Sequence, residues 1–107
     1  MKVSVIIPNW NGMKFIGMCL DSLNQSDFYS YEVIVIDNGS VDGSLEMIEK
    51  NYPLVRLIKN PENMGFAVAC NQGIKAAKGE YIILLNNDIE VESNWLTKLY
   101  EGMERHP

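Results

Sequence analysis

Positive charge is scarce in this sequence: nine lysines and arginines stand against fourteen aspartates and glutamates, a formal net charge of −5 over 107 residues. A field of that sign repels a phosphate backbone, so nucleic acid is not an expected partner. An anionic ligand would need a local device such as a bound cation. Histidine is reduced to His106, in the terminal stub, where no catalytic role is expected. The two cysteines, Cys19 and Cys70, lie far apart without metal-ligand spacing and fall on apolar helical stripes, so both read as buried thiols. No apolar run approaches the ~20 residues needed to span a bilayer. The opening "MKVSVIIP" carries one lysine and an apolar run cut short by Pro8, which is not a secretory leader. Glycine-rich phosphate cradles are missing too, because "PNWNG" offers one glycine where a dinucleotide fold needs G-x-G-x-x-G, and no G-x-x-x-x-G-K-[ST] occurs. The setting expected from these absences is reducing and cytoplasmic.

What is present is an ordinary globular balance, 47% hydrophobic and 21% charged. A chain of this length is expected to form one domain, residues 1–107, and can bury roughly two-thirds of its unfolded surface. Four β-rich runs stand out: Val3 to Ile7, Val33 to Ile36, Leu54 to Ile58 and Tyr81 to Leu85. They are continuous rather than alternating, the pattern of strands covered on both faces. Helical stripes follow each run. Ile16, Cys19, Leu20 and Leu23 mark the first, and Leu45 and Ile48 a shorter one ending before Pro53. Phe66, Ala69, Cys70, Gly73 and Ala77 mark the third; Trp95, Leu99 and Met103 mark the fourth, with Ser93 as N-cap and Pro107 just past its end. The expected fold is therefore α/β, a mainly parallel sheet with helices on both faces.

In such sheets ligands bind beyond the carboxyl ends of the strands. Pro8 is expected to end the first strand, since it has no N–H to donate. Trp10 then either folds back onto the core or offers a flat platform for a nucleobase. Asp37 and Asn38 close the second strand; turn and cap chemistry explains much of "DNGSVDGS", with Asp42 or Ser44 as the cap, yet either side chain of the pair can also read a base edge. Gly65 opens a helix whose first-turn N–H groups suit an anion. Asn71, a poor helix former inside that helix, reaches for a partner or faces solvent. After the fourth strand, "LLNNDIEV" turns abruptly polar at Asn86, Asn87 and Asp88. This is either a self-satisfied turn or a place where Asp88 holds a hard divalent ion through one carboxylate, waters and substrate phosphates.

Taken together, "VSVIIPNWNG", "VIVIDNGSVDGS", "ENMGFAVACNQGI" and "GEYIILLNNDIEVESNWL" resemble the successive motifs of family 2 glycosyltransferases, and their wording is closest to the rhamnosyltransferase-like members. The resemblance implies a GT-A, Rossmann-type nucleotide-diphospho-sugar transferase fold, truncated so that the acceptor-binding half and its general base are missing. It implies a UDP- or dTDP-sugar donor, Mg²⁺ or Mn²⁺ as cofactor, inverting transfer, and a glycan or lipid-linked acceptor for the full-length protein. The cytoplasm, or the cytoplasmic face of a membrane, is the implied location. Residue by residue, it places Pro8 and Trp10 at the base and Asn38, after Asp37, at the base edge. Gly65 and Asn71 fall near the diphosphate, Asn86 and Asn87 near the ribose, and Asp88 on the metal. Asp37-Asn38 stands where many relatives have two aspartates, and Asn86 where the metal motif is usually acidic, which implies a weaker, more substrate-dependent metal site. Truncation would leave apolar surface bare and favour self-association. A receiver-type signalling module is the rival reading, but it needs acidic residues clustered after its first strand, where this chain has Asn9, Trp10 and Asn11.

Overall fold

A computed structural model of the chain describes residues 1–106. Four strands alternate with four helices: β1 Val3–Asn9, α1 Ile16–Asn24, β2 Tyr31–Asn38, α2 Ser44–Asn51, β3 Arg56–Asn60, α3 Phe66–Ala76, β4 Tyr81–Leu84 and α4 Trp95–Arg105. The strands form one sheet in the order β3-β2-β1-β4, and all three pairings are parallel. Right-handed crossovers put α1 and α2 on one face, while α3, returning from β3 to β4, must cross on the other. Side-chain alternation along the strands then splits the core in two. Val3, Val5, Ile7, Val33 and Val35 pack with Ile16, Cys19, Leu20, Leu23, Ile48 and Leu96 from α1, α2 and α4. Ile6, Ile34 and Ile36 pack with Ala69 of α3. A methyl group at Gly73 would come within 2.4 Å of Ile6 Cγ2, so glycine there sets how closely α3 lies on the sheet.

Four local expectations are corrected. Pro8 does not end β1: it pairs in register with Ile36, and Asn9 with Asp37. The Leu85 N–H donates to the Ile6 carbonyl, so Ile6 points its backbone groups toward β4. Pro8, two residues on, points the same way, past the last residue of β4, and there a missing N–H costs nothing. The third strand starts at Arg56 rather than Leu54, because a turn closed by the Val55 N–H on the Tyr52 carbonyl occupies Pro53 to Val55 and leaves Leu54 almost wholly exposed. Ser93 does not cap α4. The N-cap is Asn94, without a side-chain bond, and the Ser93 carbonyl accepts the Asp27 N–H instead. In α2 the N-cap is Gly43 at φ 93°, and the Asp42 carboxylate serves from one residue earlier by accepting the Ser44 N–H at 3.0 Å. The stop assigned to Pro107 lies outside the described residues.

The strand order changes direction between β1 and β4, since β2 and β3 lie on one side of β1 and β4 on the other. The crevice of a doubly wound sheet opens at such a point, above the carboxyl ends. Trp10 to Gly12 and Leu85 to Asp88 leave the sheet there.

Candidate functional site

A cleft of about 310 Å³ opens at those ends. Pro8, Asn9 and Trp10 enter it from β1, Asn38 from β2, Asn63 and Phe66 from the segment after β3, and Asn86, Asn87 and Asp88 from the segment after β4. Residues distant in sequence therefore share one site. Trp10 is 55% exposed, which rules out the alternative of a ring folded back onto the core. Phe66, the first residue of α3, is exposed at the same cleft and was not picked out from sequence.

Beneath the lining lies a polar framework centred on Asn9, which is buried. Its Nδ2 donates to Asp37 Oδ1 (3.1 Å) and Ser44 Oγ (3.1 Å), and its Oδ1 accepts from Asn87 Nδ2 (2.9 Å). One amide thus ties the ends of β1, β2 and β4 together. A methyl group at Gly12 would fall 2.2 Å from Asn9 Oδ1 and 2.3 Å from Asn87 Nδ2, so only glycine leaves room for that bond. Asn11 holds the left-handed φ of 49° that asparagine tolerates; its N–H donates to Ser40 Oγ and its Oδ1 accepts the Val41 N–H, both at 2.9 Å.

Asp37 belongs to this framework and not to the cleft wall. It is fully buried, its Oδ1 accepting from Ser40 Oγ (2.7 Å) and Asn9 Nδ2 and its Oδ2 from the Ser40 N–H (2.9 Å). The base-edge role weighed for it from sequence does not match this position: a carboxylate with every visible bond turned inward has no face left for a ligand. Gly65 is also off the wall, although its flanks Asn63 and Phe66 are on it. Asn71 is exposed on α3, makes no side-chain hydrogen bond among the described residues and is not part of the cleft. Its neighbour Gln72 carries the structural load there, pairing reciprocally with Asn60 at 2.8 Å in both directions.

At the β4 end of the cleft, Asp88 is exposed and its carboxylate has no protein partner among the described residues. No three His, Cys, Asp or Glu side chains gather anywhere among those residues, so the acidic cluster of a receiver-type module does not form and no all-protein metal cage exists. A single free carboxylate beside amides fits a magnesium- or manganese-type ion that draws its remaining ligands from water and substrate phosphates. Cys19 lies underneath, its Sγ–H toward the Asn86 carbonyl (3.9 Å). Burial, and then the negative charge of Asp88, push this thiol up to about 11, so it is protonated at neutral pH.

A family model described as "Glycosyl transferase family 2" matches residues 4–107. Over 93 residues, 84% of this chain and 27% of the other protein, the sequence is 40% identical to "Uncharacterized glycosyltransferase YibD" of Escherichia coli K12. The fold superposes on the crystal structure of S. aureus TarS 1-349 in complex with UDP with a TM-score of 0.90 and 30% identity, covering 99% of this chain and 33% of that one. It also superposes on the mannosyltransferase PcManGT from Pyrobaculum calidifontis, in complex with GDP-Man and Mn²⁺, with a TM-score of 0.73 and 30% identity, over 81% of this chain and 27% of that one. The chain spans a third or less of the length of each of these proteins.

Proposed function

The chain belongs to glycosyl transferase family 2 and carries part of its GT-A fold, and from that premise we propose that it is the donor-binding half of an inverting, metal-assisted glycosyltransferase that takes its sugar from a UDP- or dTDP-sugar. The supporting observation is the convergence of Pro8, Trp10, Asn38, Asn86, Asn87 and Asp88, from three different strand ends, on one cleft. Its size, about 310 Å³, falls at the lower end of the range for small-molecule sites, as expected for a half-open one.

In this reading the base stacks on the exposed face of Trp10 and meets the amides on the β2 side. The ribose and diphosphate run toward Asn86 and Asn87, and Asp88 is the residue that would hold the divalent ion. A bound Mg²⁺ or Mn²⁺ supplies charge neutralisation on the departing diphosphate. Transfer forms a bond from the acceptor hydroxyl to the anomeric carbon and breaks the bond from that carbon to the diphosphate oxygen. The proton goes to a general base contributed by the remainder of the longer protein, which also selects the glycan or lipid-linked acceptor. Donor complexes of relatives support the reading: TarS has been crystallised with UDP and with UDP-GlcNAc, and PcManGT with GDP-Man and Mn²⁺.

Calorimetric titration with UDP, dTDP, ADP and GDP, with and without Mn²⁺, tests it. UDP or dTDP is expected to bind in a metal-dependent way, Asp88→Ala to abolish the metal dependence, and Trp10→Ala to weaken binding by ~1–3 kcal/mol, the usual contribution of a base stacked on an aromatic ring. Equal responses to all four nucleotides would overturn it.

A further inference from the structure

The Asn38 side chain is almost completely buried yet reaches the cleft. Its Oδ1 accepts two hydrogen bonds, from Asn60 Nδ2 (3.0 Å) and from the Met64 N–H (3.3 Å), and its Nδ2 donates to the Gly65 carbonyl (3.2 Å). Main-chain groups fix this orientation: an N–H can only donate and a carbonyl can only accept, so turning the amide over would set donor against donor at Met64 and acceptor against acceptor at Gly65. Asn60 is held in turn, because its two Nδ2 hydrogens go to Asn38 Oδ1 and Gln72 Oε1 while its Oδ1 accepts from Gln72 Nε2. Both acceptor positions of Asn38 are thereby used, and one of its four amide valences remains, an N–H. Asn63, on the same wall, is less constrained: it is exposed, its Oδ1 accepts the Gly65 N–H (2.9 Å) and keeps a second acceptor position, and its Nδ2 has no protein partner among the described residues.

We infer that Asn38 presents only a hydrogen-bond donor to the base and therefore reads a ring carbonyl oxygen, of which uracil and thymine carry two, rather than the N3–H between them. This rests on the donor-site reading above and specifies its polarity. An aspartate at position 38 would offer the opposite polarity, a free acceptor. Asparagine, locked by the Met64–Gly65 segment, turns the contact around and leaves N3–H to water or a main-chain carbonyl. Adenine has no ring carbonyl to meet this donor.

The test is titration of the full chain with UDP in the presence of Mn²⁺, unaltered and as Asn38→Asp. The inference expects binding about tenfold weaker in the variant, the loss of one hydrogen bond to a buried group plus repulsion of the carbonyl. Binding as tight or tighter would overturn it, because a carboxylate is the better acceptor for N3–H. The variant's second oxygen also faces the Gly65 carbonyl and can loosen the segment, so a second measurement leaves the protein intact. On the unaltered chain, 2-thio-UDP or 4-thio-UDP, whose sulfur accepts poorly, is expected to bind roughly threefold or more weaker than UDP. Where Asn38→Asp folds, that penalty is expected to vanish in it. Two thio analogues that bind the unaltered chain as well as UDP overturn the inference while leaving the donor site standing. Failure of UDP itself to bind removes the donor-site reading and this inference with it.

Discussion

Asn9 shows how one buried amide can tie together the strand ends that form a cleft. Replacing it with alanine would remove the donor that Asp37 Oδ1 and Ser44 Oγ share and the acceptor for Asn87, leaving a fully buried carboxylate short of one partner. An unsatisfied buried polar group costs about 1–3 kcal/mol, so urea unfolding of Asn9→Ala should show a loss of that order. Nucleotide affinity should fall as well, because Asn87 loses its tether to β1. If both quantities stay at wild-type values, Asn9 is not the link described. Sequence reading picked the residues on either side of Asn9 and passed over it. Trp10 could be recognised because a large aromatic ring in a polar loop is anomalous on its own, and Asp88 because a carboxylate closes a strand. Asn9, Asn63 and Gln72 are ordinary polar residues whose roles depend on partners up to 78 positions away, and no local signal carries that. Asn71 failed for the complementary reason: its poor helix propensity is a local signal, and solvent exposure satisfies it.

At the level of elements, continuous apolar runs and 3.6-residue stripes located every strand and helix, because both-face burial writes itself into composition. The misplaced start of β3 follows from its being an edge strand paired only with β2. With one side open, it tolerates Arg56 and Lys59, while apolar Leu54 sits in a turn. The junction of α3 and β4 depends on a second buried carboxylate, at the end of the sheet away from the cleft. Glu32 accepts from Ser4 Oγ (2.6 Å), the Lys78 N–H (2.7 Å) and Arg56 Nη1 (2.6 Å), and the Gly79 N–H donates to Ser4 Oγ (2.8 Å). Burial pushes this carboxyl up, but the bonds from Ser4, Lys78 and Arg56 outweigh it and hold it below its ordinary 4.5. A depressed folded value means that the stabilisation is fully present above 4.5 and fades as pH falls through and below it. Glu32→Gln puts an NH₂ where donors converge, and should cost about 1–3 kcal/mol near neutral pH. The difference from wild type should shrink in acid. Urea midpoints at both pH values measure this, and a gap that widens in acid would contradict the assignment.

For the whole molecule, the decisive asymmetry is between the two faces of the sheet. One carries α1, α2 and α4; the other carries α3 alone, which packs on β1 and β2. The register pairs Ser4 with Ile82 and Ile6 with Leu84, so these two β4 residues point to the α3 face, where nothing covers them and both remain over 40% exposed. Ile74 and Val68 of α3 are exposed as well, and the outer edge of β4 has no partner strand among the described residues. Apolar area removed from water yields about 25 cal/mol per Å², and an unpaired edge supplies ready hydrogen bonds, so the chain should self-associate through this face. Its charge of −5 opposes the approach of two copies, but that repulsion is screened beyond about 10 Å in 0.1 M salt. Association should therefore strengthen as salt rises, the reverse of a complex held by ion pairs. Sedimentation velocity over a concentration series at low and moderate salt measures this. Ile82→Lys should return the chain to monomer in both while leaving UDP affinity unchanged, since Ile82 lies outside the cleft. A wild-type chain that remains monomeric at every concentration and salt would show that the bare α3 face is too small or too curved to bring copies together.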